Sequence, residues 1–106
     1  MNYEMAQITL NQLTNSNNGV SRLVAMIGAS NFVRDEENYT VSFKFAAKAK
    51  NKANYCGIKL NSKDLYDVEF VNIRGVKVKT VSVHNDLYAD MLKSVFEAET
   101  GLYLSL

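Results

Sequence analysis

The chain has 106 residues, 47% of them apolar and 22% charged, with a formal net charge of +1 at pH 7. These are the values of one ordinary globular domain, large enough to bury its own core, and they argue against disorder. No apolar run approaches the roughly 20 residues of a membrane span, the opening MNYEMAQITLNQL has no basic segment ahead of an apolar one, and a lone Cys56 forms no internal disulfide, so the expected setting is a reducing cytoplasm.

Proline is absent, which leaves every turn to Gly, Asn, Asp and Ser. The first element is a helix start at Ile8-Thr9-Leu10-Asn11-Gln12-Leu13, with Thr9 as cap, Gln12 reaching back, and Ile8 and Leu13 at the staple positions. The Thr14–Gly19 run of Asn and Ser competes for backbone hydrogen bonds, so one turn followed by a loop is expected. A second helix is predicted from about Asn18 to Gly28, with Val20, Leu23, Val24 and Ile27 as its apolar stripe and Gly28 as its stop.

The period then changes from 3.6 to 2. Residues 32–34 and 39–45 flank Asp35-Glu36-Glu37-Asn38 as a hairpin, with Tyr39, Val41, Phe43 and Phe45 facing inward. Residues 46–54, AAKAKNKAN, read as a basic connection without inward apolar partners. A strand from Tyr55 to Leu60 turns Cys56, Ile58 and Leu60 inward. Strands Leu65–Arg74 and Val76–Val83 follow, joined at Gly75. In the last, Val76 and Val78 lie opposite to Val81 and Val83, and a bulge near Lys79-Thr80 would return all four to the core. Asn85 is the expected cap of a closing helix that carries Leu87, Met91 and Val95 beside Tyr88, Leu92 and Phe96, and Gly101 ends it. Leu102–Leu104 then doubles back. The expected fold is α+β: an antiparallel meander of about five strands, with an N-terminal and a C-terminal helix on one face.

Charge is segregated along this order. Residues 44–79 hold nine basic side chains against Asp64, Asp67 and Glu69, a net +6, whereas residues 1–43 and 80–106 carry −2 and −3. A positive sheet backed by mildly acidic helices is expected. Its candidate binding residues are Lys48, Lys50 and Lys52 in the connection, Lys44, Lys59, Lys77 and Lys79 on strands, and Tyr55 as an outward ring able to stack on a base. Lysines on strand edges also serve to block edge-to-edge aggregation, and Arg74 is the one arginine of the region.

Tyr88-Ala89-Asp90 through Phe96-Glu97, the closing Thr100–Leu106, the opening Ile8–Leu13 and the Val24–Ala29 run resemble small uncharacterised proteins of temperate phages of enteric bacteria. The matching residues are packing and capping positions at both ends of the chain. The resemblance implies a setting, a phage-encoded protein in a bacterial cytoplasm, and no catalytic motif.

Catalytic and metal chemistries find little support. His84 is the only histidine, between a strand end and a helix cap, and no nucleophile is placed beside it by spacing. Cys56 alternates with core residues and reads as a small buried side chain. No zinc spacing, GxGxxG or P-loop string occurs, and pairs such as Asp64/Asp67 and Glu36/Glu37 read as turn and edge residues. No metal or cofactor is expected, and an enzyme, the least favoured class, would need His84 and a carboxylate converging in a pocket. The function expected is a binding module whose basic surface engages an acidic host partner. The alternative is a sequence-nonspecific single-stranded nucleic-acid binder. Val71 and Ile73, on the face opposite Tyr66, Val68 and Phe70, add a homodimer contact through the uncovered face as a further expectation.

Overall fold

The computed structural model describes residues 3–105. Helix α1 runs Tyr3–Thr14, three turns where the capping pattern implied one. Thr9 sits inside the helix, and its hydroxyl donates to the Met5 carbonyl four residues back at 2.9 Å. Ala6, Leu10 and Leu13 form the buried stripe at i, i+4 and i+7, while Ile8 is exposed and makes no staple. Asn15, in the left-handed region at φ 51°, stands just beyond the helix end.

Helix α2, Gly19–Ile27, ends as expected at Gly28, whose φ of 66° needs no Cβ. Only half of the expected stripe is buried: Leu23 and Ile27 face the core, whereas Val20 and Val24 are exposed. The reason is Gly19. A Cβ there would lie 2.5 Å from the Leu10 carbonyl oxygen and 2.7 Å from the Asn11 nitrogen, so the bare backbone of α2 rests on α1. The line Gly19, Leu23, Ile27 therefore turns inward.

Strands β1 (Ala29–Asp35), β2 (Thr40–Phe45), β3 (Tyr55–Leu60), β4 (Tyr66–Arg74) and β5 (Lys77–Leu87) form one antiparallel sheet in the order β1-β2-β3-β4-β5. This is the α+β meander read from the sequence, with three helices rather than two. Register aligns Val41 with Ile58 and Val68, and Phe43 with Cys56 and Phe70, as rows of the inner face. Tyr39 does not join them. It takes φ 53° in the turn before β2 and is exposed.

A bulge does interrupt β5. Phe70 opposes Ser82 while Val71 opposes Thr80, which leaves Val81 as the extra residue. Of the four valines it brings only Val81, half-buried, against the core. Val78 stands opposite Ile73 and Val83 opposite Glu69, both on the outer face and exposed, and Val76 at the hairpin tip is 98% exposed. β5 also runs four residues beyond the expected end. A second irregularity places Asn85 and Asp86 across from Asp67, with Asp86 at φ 58°, so Asn85 belongs to the sheet and caps no helix. A single 3-10 turn, Ala89–Met91, leads into helix α3, Leu92–Thr100. Of the two expected rows, Leu87, Leu92 and Phe96 are buried, and Tyr88 and Met91 are exposed.

The helices cover the inner face. Phe96 of α3 is the centre of the core, with ring centroids 5.7 Å from Phe70, 5.8 Å from Phe45 and 6.4 Å from Phe43. Gly101, at φ 72°, ends α3. The tail folds back so that Leu104 is fully buried, its N–H donating to Glu97 Oε2 at 2.8 Å. Among the described residues no helix is long and apolar enough to cross a membrane.

Candidate functional site

The connection between β2 and β3 is folded onto the end of the domain. Ala49 and Ala53 are buried in the core cluster, a correction to the expectation that this segment has no inward partners, and Lys48, Lys50 and Lys52 are exposed between them. The alternation thus has a steric cause: small side chains fit against the core and long cationic ones point to water. Backbone bonds pin both ends. Ala47 N–H donates to the Ile27 carbonyl at the end of α2 (3.1 Å), and Lys50 N–H to the Thr100 carbonyl at the end of α3 (2.8 Å).

The far side of the loop is held to β4 by two asparagines. Asn72 Nδ2 donates to the Lys52 carbonyl at 2.6 Å. Asn54 Oδ1 accepts from Ile73 N–H at 2.8 Å while its Nδ2 donates to the Ile73 carbonyl at 2.9 Å. The Asn54 amide thereby imitates one more residue of β3 and steadies β4 where the neighbouring strand has ended.

Between loop and strand lies an open cleft of about 490 Å³, lined by Lys48, Lys52 and Arg74 with Asn54, Asn72 and several alanines. Among the described residues that line it, none carries a carboxylate, a thiol, a hydroxyl or an imidazole. Beyond it the β4–β5 hairpin projects through Gly75 and Val76, and residues 74–80 are all exposed. Gly75 takes φ 61° and Val76 does not share the sign, the pattern of a two-residue II′ turn. Cross-strand partners share a face, so Lys77 opposite Arg74 and Lys79 opposite Asn72 continue the cleft wall. Arg74 and Lys77 are like charges directly opposed, which destabilises a strand pair.

The remaining candidates are elsewhere. Lys44, between Ser30 and Tyr55 in register, and Lys59, between Thr40 and Asp67, project from the outer face together with Glu69. That face is mixed in charge, so the basic side is an end of the sheet and not its open face. Tyr55 is half-buried there, on the face opposite Arg74, and cannot present its ring to the cleft. Lys50 lies along Gly101, its Cδ within 3.3 Å of where a Cβ would stand, beside the carbonyl end of α3 where a cation is favoured. Arg74, Asn54 and Asn72 were missed by the sequence reading. Arg74 was within reach, because a two-residue turn at Gly75-Val76 sets it opposite Lys77; the asparagine bridges have no local signature.

His84 has a definite partner. Its Nε2–H donates to Glu99 Oε1 at 2.6 Å, and Asn51 Nδ2 donates to Glu99 Oε2 at 3.0 Å. The bond from His84 holds the Glu99 carboxyl below the usual range, against the opposing effect of burial. The trio ties β5, α3 and the basic loop together. Burial pushes the Cys56 thiol far up, with Glu69 adding to it, and the side chain is inaccessible. Val71 is 4% exposed, with Tyr55 and Thr80 on either side of it, and Ile73 is half-buried. A second copy is therefore not required to cover that pair. Among the described residues no three His, Cys, Asp or Glu gather as a metal site. Comparison with known proteins returns no matching family model, no matching curated protein and no matching solved structure.

Proposed function

We propose that this protein is a non-catalytic binding module that engages a polyanionic partner through the cationic end of its sheet. The observation that carries the reading is the convergence of Lys48, Lys52 and Arg74 on one cleft free of carboxylates, extended by Lys77 and Lys79. Edge protection accounts for lysines on a strand; it does not account for a like-charge pair across a hairpin beside two further lysines from a separate loop. These five cations, which form no ion pair among the described residues, repel one another, and an anionic ligand removes that repulsion on binding. The described residues of the cleft supply no carboxylate, imidazole, thiol or hydroxyl to act beside its lysines in turnover. In the phage setting that the terminal segments suggest, the partner is an acidic surface of the host cell, and the protein acts as a small cytoplasmic accessory factor. Self-association through the outer face has less to rest on, since Val71 is already buried and Ile73 half-buried within the chain.

The test is binding to a labelled heparin oligosaccharide, followed by fluorescence polarisation. The parent chain should bind, the K48E/K52E/R74E variant should not, and K44E/K59E on the outer face should behave like the parent. No binding by the parent, or equal loss in both variants, overturns the reading.

A further inference from the structure

We infer that the polyanion is B-form duplex DNA, with the β4–β5 hairpin lying in its major groove and the loop lysines on the adjoining phosphates. This deepens the polyanion-binding reading and rests on it. Composition separates nucleic acid from an acidic protein. Protein interfaces are depleted in lysine and centre on buried aromatic anchors, whereas protein–DNA interfaces are polar and strongly positive. The cationic set here is four lysines and one arginine, and the one aromatic among the described residues of the cleft, Phe45, is 4% exposed. The same absence separates duplex from single strand. Binding of single strands relies on rings on which unstacked bases lie, and Tyr55, the ring expected to do so, is on the other face of the sheet.

Shape selects among duplexes. The hairpin is a two-stranded ribbon whose residues 74–80 are exposed, while its base on β4 is fastened to the loop through Asn72 and Ile73. Such a ribbon fits the roughly 12 Å major groove of B-DNA and not the roughly 6 Å minor groove. The major groove of A-form RNA is too narrow to admit it. Arg74, Lys77 and Lys79 on one side of the ribbon face the groove and its flanking phosphates, and Lys48 and Lys52 across the cleft meet the next phosphates along one strand. Both cleft asparagines spend their amides on protein backbone. That leaves Arg74, Lys77 and Lys79 to reach guanine edges or phosphates, so sequence preference is weak and phosphate neutralisation dominates.

Five contacts predict that log affinity falls with log salt at a slope of about −4.5, near −0.9 for each phosphate neutralised. The experiment is fluorescence anisotropy with a random duplex of roughly 16 base pairs, about one and a half helical turns, at about 50 to 200 mM salt. Single-stranded DNA, duplex RNA and poly-glutamate of matched charge are run beside it. The expected result is B-DNA bound about ten-fold or more tighter than the other three, with the slope reduced by about 2 in K77Q/K79Q and again in K48Q/K52Q. All four positions are exposed, and circular dichroism verifies the fold of each variant. If single strands, duplex RNA or poly-glutamate bind as well as B-DNA, and K48Q/K52Q weakens them, the duplex inference fails while the polyanion-binding reading survives. If no anion binds, or binding is indifferent to K48Q/K52Q, both fail.

Discussion

Replacing Asn54 by alanine removes a single side-chain amide whose two bonds fasten the projecting part of β4. The backbone bonds of residue 54, from Phe45 N–H to its carbonyl and from its own N–H to the Val71 carbonyl, are untouched by the change, so the variant isolates the amide. It leaves the N–H and carbonyl of Ile73 without those partners in a half-buried position. At about 0.5–1.5 kcal/mol net for each bond, with a further cost where water reaches the stranded groups poorly, the loss is about 2 kcal/mol. For a domain of this size that lowers the melting temperature by about 10 °C. Asn54→Asp separates the two bonds, because a carboxylate still accepts from Ile73 N–H but cannot donate to its carbonyl; its loss should be smaller. Thermal melts give the global effect, and amide exchange at Ile73 gives the local one, which rises further than the melt falls if the hairpin opens by itself. An Asn54→Ala protein that melts within about 2 °C of the parent, with unchanged protection at Ile73, would refute the idea that this amide extends the sheet.

Gly19→Ala ordinarily favours a helix by up to about 1 kcal/mol, but here the added methyl meets the α1 backbone, and a net destabilisation of about 1–3 kcal/mol is expected by urea titration; a more stable variant would mean the helices are not in backbone contact. Glu99 has its pKa lowered by His84 and Asn51, so its contribution is present above the ordinary value near 4.5 and is lost as pH falls through the folded value. Glu99→Gln should accordingly flatten the stability profile between about pH 5 and pH 3, and an unchanged profile in chemical denaturation would dismiss the His84–Glu99 bond as a stabilising contact. Cys56 should resist a thiol reagent in the native state and react fully in denaturant; prompt labelling of the folded protein would contradict its burial.

Much of the architecture was legible because it follows from local rules. Alternation over residues 39–45, 55–60 and 65–74, punctuated by Gly28, Gly75 and Gly101, was sufficient for an antiparallel meander with helical ends, since each signal depends on backbone geometry within a few residues. Left-handed backbone falls on Asn15, Asn31, Asp64 and Asp86, residue types that tolerate it, and also on Tyr39 and Lys52, which local rules do not mark. What lay beyond local rules was every quantity set by a partner distant in the chain. A bulge resets the phase of a strand, so the alternation of residues 76–83 placed an irregularity near Lys79-Thr80, close to the observed one at Val81, but did not say which face it would serve. Helix α1 is long because Leu10 and Leu13 are buried by the rest of the fold, outweighing its weak local signal. The lysines were countable in the sequence, but their grouping depended on register, on two buried alanines and on amide bridges from Asn54 and Asn72. Net charge is a property of composition, whereas an electrostatic site is a property of distances, and only the packed chain sets those.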